Sequence, residues 1–141
     1  MIEVCFVCTG DTCRSVMAER IARKKAKNKC ADCKFSSRGI FAKGENITDN
    51  AKEALRQFGY DSRNRKSVKL GKINPKTLYV CVTDLHKRYV NSKRVISFAD
   101  LAGEVVDPYG QPLEVYLKTC KQIENNVDVL LNKLEKLRGE K

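Results

Sequence analysis

No apolar run in this 141-residue chain approaches the roughly 20 residues that a membrane-spanning helix needs, so no transmembrane segment is expected. The amino terminus, Met1-Ile-Glu-Val, lacks the basic region and small-residue cleavage site of a secretory signal, which predicts a cytoplasmic protein. Histidine is nearly absent: His86 is the only one, and with no partner visible in the sequence it reads as structural, not catalytic. Tryptophan is missing, and no aromatics alternate with the basic clusters as they do on a nucleic-acid stacking surface. Nor is there an internal repeat, a low-complexity tract or a linker, so residues 1–141 are expected to form one domain.

Acidic residues are outnumbered. Lys and Arg total 28 against 17 Asp and Glu, a net charge of +11. Much of the excess sits in Arg23-Lys-Lys-Ala-Lys-Asn-Lys29 and Arg63-Asn-Arg-Lys66. Both runs lie outside the segment that carries the chemistry, so they read as solvated surface charge with some attraction for acidic phosphoproteins. Seven cysteines cannot all pair within one chain, and with no export signal most are expected as free thiols.

One of those thiols begins a recognisable loop. Val4 to Val7 read as a buried strand and the segment after Arg14 as a helix, with Cys8-Thr-Gly-Asp-Thr-Cys-Arg14-Ser15 between them. Such a loop can curl around a phosphate, its N–H groups pointing inward and the positive end of the helix behind them. Arg14 would grip two phosphate oxygens with its planar fork, and the same positive field would favour Cys8 as a thiolate nucleophile. In a chain with seven cysteines a bare Cys-x5-Arg arises by chance about half the time. The competing reading is a buried structural cysteine beside a surface arginine. Context decides: the loop joins strand to helix, contains Gly10, and places a hydroxyl, Ser15, directly after Arg14.

Beyond the loop, strands are expected at residues 35–39, 78–83 and 94–98. Helices are expected at about 14–28, at 48–58 with Thr48 as cap, and after Pro112. In the last of these, Tyr116, Cys120, Ile123, Val127, Leu130, Leu134 and Leu137 form an apolar stripe. Alternating strands and helices predict an α/β fold, a parallel β-sheet with helices on both faces, and a ligand at the carboxyl ends of the strands.

The run Cys8 to Glu19 resembles the signature of low-molecular-weight protein-tyrosine phosphatases. Val106-Asp107-Pro108-Tyr109-Gly110 resembles that family's Asp-Pro loop, and Ser37-Arg38-Gly39-Ile40 its Ser-x-Gly segment. The resemblance covers nearly the whole chain. It implies a flavodoxin-like three-layer sandwich and a cofactor-free phosphoprotein phosphatase working through a cysteinyl phosphate. Cys8 would be nucleophile and Arg14 phosphate clamp, with Ser15 steadying the thiolate. Asp107 would be general acid and then base. Thr9, Gly10, Asp11, Thr12 and Cys13 would line the phosphate site, and Tyr109 the substrate slot. Cys13 also matches a second loop cysteine that closes a reversible disulfide on the nucleophile.

Within the family, tyrosine-directed members usually carry a bulky aliphatic residue at the position of Thr12, whereas bacterial protein-arginine phosphatases carry Thr. This loop is closest to the arginine type. Asp11 departs from the family's Asn, and Val16 from its Pro. A carboxylate at position 11 is expected to oppose anion binding and raise the Cys8 pKa.

Three other readings compete. Cys5-x2-Cys8 with Cys30-x2-Cys33 has the form of a four-thiolate zinc pattern, but residues three apart on a strand face opposite ways, so no metal is expected. An arsenate reductase would depend on a cysteine relay. A basic nucleic-acid-binding module would have no catalysis. Oligomeric state is not legible here.

Overall fold

The computed structural model describes residues 1–30 and 32–139. Four strands, β1 (Ile2–Cys8), β2 (Cys33–Gly39), β3 (Leu78–Cys81) and β4 (Val95–Ser97), form one parallel sheet in the order β2-β1-β3-β4. Among the described residues three α-helices accompany it: α1 (Arg14–Ala26), α2 (Asp49–Gln57) and α3 (Leu113–Gly139). No helix among the described residues is long and apolar enough to cross a membrane.

The chain leaves β1 toward β2 on one side and later returns to β3 on the other. The sheet therefore reverses direction beside β1, and its carboxyl end is the crevice where a parallel sheet takes a ligand. Cys8 is the last residue of that strand.

The period of two along the strands sorts the core. Val4, Phe6 and Cys8 join one apolar cluster with Val80 and Val82, while Cys5, Val7, Tyr79 and Cys81 join another. Cys5 and Cys8 thus face opposite ways, as strand geometry requires. The helical cover is unequal. α1, α2 and α3 all contribute to the first cluster, around Phe6, Met17, Leu55 and Ile123. The second is closed by Leu70 and Ile73 from the irregular segment after α2 and by Val90, just past a short 3-10 helix, Asp84–Tyr89.

Several boundaries differ from the sequence reading. β3 stops at Cys81, because the next residues turn into the 3-10 helix. β4 ends at Ser97, whose hydroxyl accepts from the Ala99 N–H and caps a second 3-10 turn in a capping box with Asp100. Thr48 precedes α2, but its hydroxyl lies 3.4 Å from the Cys13 sulfur and makes no cap bond. Leu137 is 58% exposed, since α3 outruns the core there. Cys30 and Cys33 form a disulfide across the turn between α1 and β2, and the other five cysteines are free and buried.

Candidate active site

The loop from β1 to α1 makes its tightest turn at Asp11, whose φ of 56° is a left-handed conformation that Asp adopts more readily than most residues. It rests directly on β2. A Cβ built at Gly39 would stand 2.7 Å from Gly10 C, 2.8 Å from Asp11 N and 2.9 Å from Thr9 O, so only glycine fits beneath the loop. Gly39 is the glycine of the Ser37-Arg38-Gly39 segment read from the sequence.

Cys8 and Arg14, the two ends of the motif, meet across a cavity of about 290 Å³. The Cys8 sulfur is 2.9 Å from Ser15 Oγ and 3.3 Å from the donating Asp11 N–H. Arg14 is 5% exposed; its Nη1 donates to Val105 O at 3.0 Å, and its Nη2 lies 3.7 Å from Asp107 Oδ2. One guanidinium therefore ties the phosphate loop to the Asp-Pro loop. Asp107 is half exposed and accepts from the Tyr109 N–H at 3.1 Å, an Asx turn that fixes its carboxylate at the cavity mouth. Thr9, Gly10, Thr12, Cys13 and Tyr109 also line the cavity.

Not every candidate residue faces it. Ser15 is fully buried beneath the loop, and the Asp11 side chain turns away from the cavity toward Ser15, Arg65 and Val68. Only the Asp11 backbone serves the sulfur. The Cys13 sulfur borders the cavity and is 3.4 Å from Thr48 Oγ1 and 3.6 Å from Tyr116 Oη. Phe41, Lys43 and Glu45 complete the cavity wall. Sequence reasoning missed them because they sit in an irregular stretch, although all follow Gly39 closely.

The electrostatics are divided. Burial is the largest influence on Cys8 and raises its pKa; the Ser15 hydroxyl, Arg14 and the backbone N–H groups of Ser15 and Asp11 pull it down. The positive field expected from the sequence is present, but burial outweighs it and the net direction is upward. Burial pushes Cys5, Cys81 and Cys120 up to about 11, 12 and 12, and none of the three borders the cavity. His86 braces the loop from below, its Nε2 2.9 Å from Thr9 Oγ1 and its Nδ1 2.9 Å from Thr83 Oγ1. Burial, and then Arg14, lower its pKa to about 4, so it is neutral at pH 7.

A thiol under an arginine clamp, at the carboxyl edge of a parallel sheet and with a carboxylate held at the mouth, has the parts of a cysteine-dependent phosphohydrolase. Comparison with known proteins narrows the class. A family model described as low molecular weight phosphotyrosine protein phosphatase matches residues 3–140, and the chain belongs to that family. It is 31% identical over 147 residues to a protein-arginine-phosphatase of Geobacillus stearothermophilus, covering 94% of this chain and 96% of that one. A low molecular weight protein tyrosine phosphatase from T. tengcongensis superimposes with a TM-score of 0.86 at 34% identity, over 94% of this chain and 99% of that one. The YwlE arginine phosphatase, as a Cys-to-Ser mutant with a phosphorylated active-site serine, gives a TM-score of 0.88 at 28% identity, over 96% and 97%. The protein is a cysteine-dependent protein phosphatase that acts on phosphorylated proteins.

Proposed function

We propose that this phosphatase prefers phosphoarginine to phosphotyrosine and that Cys8 carries the transferred phosphoryl group. Thr12 is the observation that supports the substrate choice. It is a small polar side chain on the cavity wall, able to hydrogen-bond a planar guanidinium where an aliphatic residue would pack an aryl ring. Glu45 and Asp107 add negative charge around a substrate group that is itself cationic beyond the phosphate. The arginine phosphatases among the relatives agree with this preference, and the phosphorylated serine of the YwlE mutant agrees with a phosphoryl group carried at the nucleophile.

In the first step Cys8 gives its proton to solvent, and the thiolate attacks phosphorus as the bond to the leaving nitrogen breaks. Asp107 delivers a proton to that nitrogen. Arg14 and the loop amides neutralise the phosphoryl oxygens throughout. In the second step Asp107 takes a proton from water, which displaces phosphate from sulfur, and the Ser15 hydroxyl stabilises the departing thiolate. Phosphoarginine and phosphotyrosine peptides of one sequence, assayed side by side with wild type and Cys8→Ser, test both points. Higher kcat/KM on phosphoarginine, with both activities abolished in Cys8→Ser, is expected. A phosphotyrosine preference would refute the substrate choice, and an active Cys8→Ser enzyme the mechanism.

A further inference from the structure

Asp11 stands where the family resemblance would place Asn, and its surroundings are not those of a tolerated defect. Four donors reach its carboxylate. Ser15 Oγ donates to Oδ1 at 2.7 Å and Arg65 Nη2 at 3.3 Å; Arg65 Nη1 donates to Oδ2 at 3.0 Å and the Val68 N–H at 2.9 Å. The side chain is 0% exposed, so its charge is met by protein groups and not by water. Arg65 comes from the irregular segment after α2, which lies along the back of the loop. Gly39 N–H donates to Val68 O at 2.9 Å, and Leu70 N–H to Gly39 O at 2.9 Å. Arg65 also reaches Glu19 at 3.2 Å and the hydroxyl of Ser37. Burial opposes its charge, but Asp11 and Glu19 outweigh burial and raise its pKa.

Ser15 has one hydroxyl hydrogen and two claims on it. As the structure stands the hydrogen goes to Asp11, and the Ser15 oxygen is left to accept from the Cys8 thiol. Once Cys8 is a thiolate it needs that hydrogen, and Ser15 can supply it only by turning away from Asp11. Asp11 Oδ1 then keeps Arg65 Nη2 as its remaining donor. Without Arg65, Asp11 would hold the Ser15 hydrogen and also place an unbalanced negative charge beneath the nucleophile.

We propose that Arg65 is a positioning residue for catalysis, whose ion pair with Asp11 releases the Ser15 hydroxyl to the Cys8 sulfur. The proposal rests on Cys8 being the nucleophile. Asp11 and Arg65 then form one functional unit, an ion pair in place of a neutral amide, and neither is neutral to the site without the other. Other charges around the site are Arg14, Lys43 and Glu45 at the cavity, Asp107 at its mouth, and Glu19 on α1 with its partner Arg23 at 2.7 Å, with His86 uncharged below Thr9.

The test is a double-mutant cycle on the full-length protein, read by the Cys8 pKa and by kcat/KM. The pKa is taken from the pH dependence of iodoacetamide alkylation at Cys8, located by peptide mass. Arg65→Met should raise it by about one unit and lower kcat/KM at pH 6 about tenfold. Asp11→Asn alone should lower it. In the Asp11→Asn background, Arg65→Met should change kcat/KM by no more than about twofold. Arg65→Lys should recover part of the loss.

An equal loss in both backgrounds with an unmoved Cys8 pKa would mean that Arg65 only braces the fold. Should Arg65→Met not fold, the isosteric Asp11→Asn and the milder Arg65→Lys decide: an unchanged Cys8 pKa in both overturns the proposal. The alkylation readout needs no phosphatase assay. An active Cys8→Ser enzyme would therefore count against the nucleophile assignment and be told apart from a failure of the ion-pair idea.

Discussion

Thr12 contributes little to stability and much to discrimination. Its hydroxyl makes one weak contact, 3.8 Å to the Cys13 sulfur, and its backbone C=O accepts from the Thr48 N–H at 3.1 Å, an interaction that any residue could make. Thr12→Ile keeps the backbone and replaces a polar wall by an apolar one. It should lower the phosphoarginine to phosphotyrosine ratio of kcat/KM by about tenfold, the size of a lost hydrogen bond in a closed site. The same peptide pair measures it. At this scale the sequence was legible where one loop contains the whole motif: Cys8, Arg14 and Ser15 are neighbours in the chain and meet through local geometry. Arg65 was not legible. It reaches Asp11 across 54 residues from a segment without regular structure, and in the sequence it looks like one more member of a solvated basic run. The expected penalty of Asp11 on the phosphate also needs revision, because the carboxylate turns from the cavity and meets Arg65.

Strands and helices followed from periodicity because each has one buried face, whereas the 3-10 turns after β3 and β4 carry no such pattern and shortened both strands. The first of those turns has a use that composition could not reveal. It delivers His86 to the underside of the loop, where the ring joins Thr83 to Thr9. His86 is neutral in the fold, with its pKa lowered to about 4 from an ordinary 6.5. Lowering the folded pKa makes the unfolded chain bind the proton first, so the contribution is intact above pH 6.5 and is lost as pH falls toward 4. His86→Gln, which keeps two hydrogen-bonding groups but no proton switch, should flatten the fall of Tm between those pH values. Thermal unfolding of both proteins across that window is the measurement, and parallel curves would show that carboxylates alone set the acid limb.

For the molecule as a whole, the net charge of +11 stands whatever internal pairs form, because cations outnumber anions by that amount. In the run after Arg23, Lys25 pairs with Asp128 at 2.8 Å and Lys24 lies over the Tyr60 ring, while Lys27 and Lys29 are exposed. A positive field of this size speeds encounter with polyanions and is screened by salt. Raising ionic strength from about 0.01 to about 0.3 M should lower kcat/KM several-fold on an acidic phosphopeptide and far less on a neutral one of equal length. Equal salt dependence for the two would remove any role for the charge in substrate capture.

The disulfide between α1 and β2 acquires a meaning from the strand register. β1 pairs Ile2 with Cys33 at one end and Cys8 with Gly39 at the other, so a seven-residue strand, about 20 Å, separates that sulfur pair from the nucleophile. Sulfur exchanges with sulfur only on contact. Within one molecule, the Cys30–Cys33 disulfide is therefore too far from Cys8 to exchange with it directly. Oxidation at one end of β1 thus leaves the sulfur at the other end untouched unless a third thiol or a carrier bridges the distance.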